Sequence, residues 1–191
     1  LNVMVLVKTP MKQGRWGNTK KNVNILNLVG YGFDSMLQPD FQRFYFSNLT
    51  IEEGRQIINK GNSSSVYKSK IKGKEGKLDL VIGPIDKKQK KGRFSKGTFG
   101  YELIFLYTKM FRDACNLALS NNMKAIFLTG VGAGAFGPIG ISESEFNKQI
   151  REPVFEDLIT SKKENFSINE YSFRGEFSVK GGRKLLVFDH Y

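Results

Sequence analysis

Apolar and polar positions along this chain follow two periods, one near two residues and one near 3.6, which divide it into strands and helices. Asn2–Val7 (NVMVLV) reads as a strand that stops before Pro10, and Val23–Val29 (VNILNLV) as a second. Between them Lys12–Asn22 is a polar loop carrying the only tryptophan, Trp16. The second strand opens into GYGFDSMLQPDF, Gly30–Phe41, where Gly30, Gly32 and Pro39 mark a structured loop. Thr50–Asn59 begins with a Thr-x-x-Glu capping box and reads as a short helix weakened by Gly54, and Leu78–Ile82 as a compact strand ending at Gly83.

The clearest helix spans Thr98–Asn121. Phe99, Leu103, Leu106, Met110, Ala114 and Leu117 recur at three-to-four spacing and predict one core-bound face. Cys115 within it reads as a packed small side chain. Ala125–Thr129 (AIFLT) is wholly apolar, the pattern of a central strand covered on both faces. A glycine–alanine loop follows, and Ser142–Glu145 supplies a second capping box. The helix it starts runs toward Ile159 and contains Pro153, which either kinks it or opens a second helix at its first turn. Residues 162–183 are polar and glycine-spotted, with no predicted element, and Lys184–Asp189 (KLLVFD) is a last strand. This order predicts an α/β fold with a mostly parallel sheet and right-handed crossovers.

Composition bounds the rest. A chain of 191 residues, 40% hydrophobic and 13% aromatic, is expected to form a single globular domain over residues 1–191. Its start at Leu1, with no leader-like segment, reads as an excised fragment of a longer protein. No run approaches the roughly 18 apolar residues of a membrane span, so no membrane partner is expected. The single cysteine excludes an intrachain disulfide and fits a reducing, intracellular compartment. With a single histidine as well, His190, most zinc sites and internal Ser-His or Cys-His machinery are excluded, and no metal or cofactor is expected. His190 itself reads as a solvated strand-end residue.

Net charge is +12, much of it in two loop-like runs, Lys68–Lys77 and Lys87–Lys96. That charge points to anionic partners: nucleotides, nucleic acid, acidic lipid or acidic protein. Aromatics are sparse in both runs, so neither is a stacking platform for single strands. Richness in Lys, Asn, Ile and Phe is also what an AT-rich genome produces. Together these features fit a microbial protein delivered into a host cell.

The candidate chemistry lies in KAIFLTGVGAGAFGPIG, Lys124–Gly140. A backbone stripped of side chains between an apolar strand and a capped helix can aim N–H groups at a phosphate, and the helix terminus adds partial positive charge. It is not a P-loop, because no Lys-Ser or Lys-Thr closes it. Gly132, Gly134 and Gly137 match G-x-G-x-x-G, but the segment comes late and lacks the acidic residue expected at a strand tip about 20 residues on.

FLTGVGAGAFG, Phe127–Gly137, resembles the second phosphate loop of macrodomains, including the poly-ADP-ribose glycohydrolase branch. LVIGPI resembles the preceding macrodomain strand, YELIFLYTKMFRDACNLALSNN its following helix, and KLLVFD its last strand, so the likeness covers residues 78–191. It implies a three-layer α/β/α fold around a mostly parallel mixed sheet that binds ADP-ribose, either as a reader only or as a hydrolase that removes it from modified protein. Gly130, Val131, Gly132, Ala133, Gly134, Ala135 and Phe136 would bind the ligand, with the N–H groups of Gly132–Phe136 around the diphosphate and Phe136 on the distal ribose. Gly83 and Asn27 would join the ligand site. The first half departs from the pattern: it has no triple glycine, and Glu52–Glu53 reads as first-turn helix acids rather than a glycohydrolase pair.

Asp34 and Asp40, in the Gly/Pro loop after the second strand, are the candidate catalytic carboxylates. They would accept from adenine or ribose or position a water, or else serve as an Asx-turn or helix cap. The competing reading is a non-enzymatic basic module that binds RNA or an acidic protein through the lysine-rich loops.

Overall fold

The structure is a computed structural model describing residues 4–12, 15–16, 22–28, 30–32, 88, 93–96, 98–131, 142–162, 164–179 and 182–190. It divides into two compact units, Leu1–Gly30 and Tyr31–Tyr191.

The first unit is an antiparallel three-stranded sheet, in the order β2-β1-β3. Strand β1 (Met4–Lys12) pairs with β3 (Asn22–Leu28) from Met4 opposite Leu28 to Pro10 opposite Asn22. Strand β1 does not stop before Pro10 but runs on to Lys12, because proline removes a donor without forbidding extended backbone. Its last residues pair with β2 (Arg15–Trp16), so Trp16 is in a strand and not in the expected loop.

In the second unit the long helix α1 (Phe99–Ser120) matches its predicted span. Thr98 caps it by accepting from the Tyr101 N–H. At the other end Asn122 adopts a left-handed conformation, φ 61°, which asparagine tolerates. The Asn122 N–H donates to the Leu119 carbonyl and the Met123 N–H to the Ala118 carbonyl, a complete Schellman motif that turns the chain into β4 (Ala125–Leu128).

The buried face of α1 is rotated from the expected stripe. Leu103, Met110 and Ala114 are buried as predicted, but Leu106 and Leu117 are only half-buried. Tyr107, Phe111 and Ala118 take their places, because this helix is covered from two directions. Tyr107 and Phe111 pack edge-on against Phe146 and obliquely against Phe155 of the second helical segment, while other α1 residues face the sheet. Cys115 is fully buried, as predicted.

The second helical run is continuous from residue 143 to 158. Helix α2 (Glu143–Phe146) carries the predicted capping box between Ser142 and Glu145. It passes through a π-helical turn, Asn147–Arg151, into α3 (Glu152–Leu158), where Pro153 occupies the first turn. The wide turn is how Pro153 is accommodated: the ladder shifts to a bond from the Glu152 N–H to the Asn147 carbonyl just before the residue that lacks an N–H.

The sheet of this unit is mixed, in the order β4-β7-β6-β5. Strands β4 and β7 (Lys184–Asp189) are parallel, whereas β6 (Tyr171–Ser178) is antiparallel to β7 and to β5 (Ser167–Ile168). The general α/β class holds, but among the described strands parallel pairing is the minority. The physical reason is the 162–183 stretch, which was expected to hold no element and instead forms the β5–β6 and β6–β7 pairs. Gly175 sits at the irregularity in β6 with φ +139°, a conformation that side-chain-bearing residues rarely adopt.

Strand β4 is also not covered on both faces. Ile126 and Leu128 are buried, but Phe127 is 46% exposed, its ring only partly covered by Phe188, stacked at 4.6 Å, and Tyr171, edge-on at 5.3 Å.

Candidate functional site

In a parallel pair the carboxyl ends of both strands reach the same sheet edge. Here that edge carries Thr129, Gly130 and Val131 after β4, and His190 after β7. The His190 N–H donates to the Leu128 carbonyl at 3.1 Å, extending the ladder by one bond. The His190 imidazole is half-exposed, edge-on to Tyr171 and 3.7 Å from the Glu170 carboxylate, as suits a strand-end residue.

At Gly130 the chain turns sharply: the Val131 N–H donates back to the Thr129 carbonyl at 2.6 Å. The two outer carbonyls of this turn are held by one side chain. Arg151 Nη2 donates to the Thr129 carbonyl at 2.8 Å, and Nη1 to the Val131 carbonyl at 2.7 Å. The same guanidinium grips Asp189, through Nε to Oδ2 at 3.0 Å and through Nη2 to Oδ1. The side chains of Arg151 and Asp189 are 3% and 1% exposed, and the guanidinium carbon lies 5.7 Å from the ring centres of Phe111 and Phe155.

Local sequence explains this arrangement. Leu185, Val187 and Asp189 share one face of β7 by two-residue alternation, which drives the carboxylate into the helix side of the sheet. A buried carboxylate needs a counter-charge and donors. Arg151, at the end of the π turn, supplies both. Neither residue was singled out from sequence, although an acid in phase with two core leucine and valine positions is the signal that could have found it.

The chain matches no family model, no curated protein and no solved structure.

Of the expected ligand residues, Gly130 and Val131 lie at the start of the glycine segment, in the turn that Arg151 holds. Asn27 is exposed in β3 of the first unit, opposite Val5. Gly83, Gly132, Ala133, Gly134, Ala135 and Phe136, and both candidate carboxylates, Asp34 and Asp40, lie outside the described residues.

The helix that follows the glycine segment carries the expected capping box and is acidic at its start. Its first turn carries Glu143 and Glu145, and the Glu145 carboxylate accepts from the Ser142 N–H and hydroxyl while the Ser142 hydroxyl accepts from the Glu145 N–H. Those hydrogen bonds hold the Glu145 carboxyl below its ordinary range. The chain's own carboxylates therefore already lie against this terminus.

Among the described residues no group of three or more His, Cys, Asp or Glu side chains is arranged to hold a metal ion, and no helix is long and apolar enough to cross a membrane. A separate cleft of about 720 Å³ runs along α1 past Phe94, Tyr101, Phe105 and Arg112. The Arg93 at its rim, from the second basic run, is bonded to Glu156 and Asp157.

Proposed function

We propose that the chain binds ADP-ribose through the backbone of residues 130–136 and hydrolyses ADP-ribose from modified protein, within a three-layer macrodomain-like fold. The observation that carries this reading is the turn at Gly130. It sits at the carboxyl edge of a parallel strand pair, where open α/β sheets bind ligands, and it leads into a segment of glycine and alanine that leaves the backbone accessible. The trans peptide is planar, so a carbonyl aimed at Arg151 sends the N–H across the same peptide plane the opposite way. Two carbonyls held on one side thus favour amides offered on the other, the requirement for cradling a diphosphate. The acidic first turn of α2 shifts the burden of phosphate binding onto that backbone. Asp34 and Asp40 are the groups proposed to orient ribose or the attacking water, and Phe136 to pack on the distal ribose.

Calorimetric titration with ADP-ribose, beside AMP and NAD, tests the binding. Heat with ADP-ribose that disappears in Gly134→Glu, which fills the cradle and adds a like charge, supports it; no heat at millimolar ligand overturns it. Binding of RNA or an acidic protein that weakens steeply with salt and survives Gly134→Glu would instead favour the basic-module reading. Incubation with mono- and poly-ADP-ribosylated protein separates reader from hydrolase.

A further inference from the structure

We infer that the buried Arg151–Asp189 pair is a positioning device that presets the Thr129–Val131 turn opening the glycine segment, rather than a pair kept for fold stability alone. The inference rests on the reading of residues 130–136 as the ligand-binding element, but its physical core is independent of the ligand.

A buried ion pair is a poor way to stabilise a core. Desolvating both charges consumes most of what their attraction returns, and well-packed apolar residues of similar volume often do as well or better. What apolar residues cannot do is hold carbonyls. Among the described residues Arg151 donates four side-chain hydrogen bonds, two of them to the carbonyls on either side of Gly130. Asp189 engages Nε and Nη2, which fixes the plane of the guanidinium, and Phe111 and Phe155 lie beside it. A planar fork so fixed sets the direction of two peptide planes at once, which a single ammonium could not.

The π turn completes the device. It ends on Arg151 itself, so the extra residue in that turn shifts where along the helix surface the guanidinium emerges. Glycine on both sides of Val131 would otherwise leave the segment free to sample many backbone states, and ordering it on binding would cost affinity. With the turn preset, that ordering is already done when ligand arrives.

Hydrogen exchange of the Val131 amide, which donates to the Thr129 carbonyl across the turn, read by NMR on the unliganded full chain, tests this directly. In the wild type this amide is expected to exchange well below the unprotected rate; exchange at the unprotected rate overturns the inference. In Arg151→Met/Asp189→Leu, which removes both charges while keeping bulk, it should exchange about tenfold faster or more, the effect of losing the two charge-assisted hydrogen bonds that hold the turn, while the α1 amides keep their protection.

Arg151→Lys, which keeps the charge but not the fork, should give an intermediate increase, and it carries the comparison alone if the double variant does not fold. Loop exchange equal to wild type in a folded variant lacking the fork overturns the inference. ADP-ribose affinity should fall by about the same factor as loop protection. An absence of ADP-ribose binding in the wild type would remove the proposed function while leaving the exchange result to decide positioning.

Discussion

Arg151 on the helical run and Asp189 at the end of the last strand form a two-pronged, hydrogen-bonded ion pair sealed from water, 38 residues apart in sequence. Removing one partner leaves the other as an uncompensated buried charge. Asp189→Ala is therefore expected to destabilise the protein by about 3–5 kcal/mol, and Asp189→Asn by less, since an amide oxygen still accepts from the guanidinium. Urea unfolding of the three proteins measures the order. An Asp189→Ala variant within experimental error of wild type would show that the pair is open to water in solution.

Gly175 takes φ +139° where β6 is irregular. A Cβ there would meet Ile159 Cγ2 and stand 2.8 Å from the Ser161 carbonyl oxygen, on the segment bridged to Glu176. Gly175→Ala should cost about 2–4 kcal/mol, combining backbone strain with overpacking. Thermal unfolding reads the loss, and a neutral result would mean the strand regularises without penalty.

The Thr108 hydroxyl is buried in α1 with no hydrogen-bond partner among the described residues, and the residue is 6% exposed. Such a group bears its desolvation cost with no compensating bond. Thr108→Val keeps the shape and removes the hydroxyl, so it should stabilise the protein by about 1 kcal/mol, seen as a higher urea midpoint at unchanged slope.

Cys115 is fully buried, and burial pushes its thiol up to about 12. The folded protein should resist alkylation at pH 8, while the urea-unfolded chain reacts at once. Because the folded pKa lies above that of the unfolded thiol, near 8.5, the neutral thiol's contribution is complete below about pH 8.5 and is lost as pH rises toward 12. Wild type should therefore lose more stability than Cys115→Ala between pH 8 and 10.5. Equal losses would show that the thiol is not excluded from water.

Local signals were the most legible. The boundaries of α1, the Ser142–Glu145 capping box and strand β7 were all readable, because each depends on hydrogen bonds or periodicity within a few residues. Strand β6 was not. YSFRGEFS mixes an arginine, a glutamate and a glycine into its core-facing and bulged positions, and only pairing with β7 makes those residues a strand. Tyr107 was missed on α1 for a related reason. Its hydroxyl disguises a ring that three other aromatic rings surround, Tyr31 and Phe146 edge-on and Phe111 obliquely.

The glycine segment divides along the same line. From sequence alone came the apolar strand before it, the absence of side chains within it, the capped helix after it, and hence the expectation of a phosphate-sized ligand. Tertiary structure alone decided that β4 and β7 run parallel, so that the segment starts at a shared carboxyl edge, and that Arg151 and Asp189 meet beneath it. Periodicity and caps report forces acting over one or two turns of chain. The charge pair that holds this turn joins residues far apart in sequence, and only folding brings them within hydrogen-bonding reach.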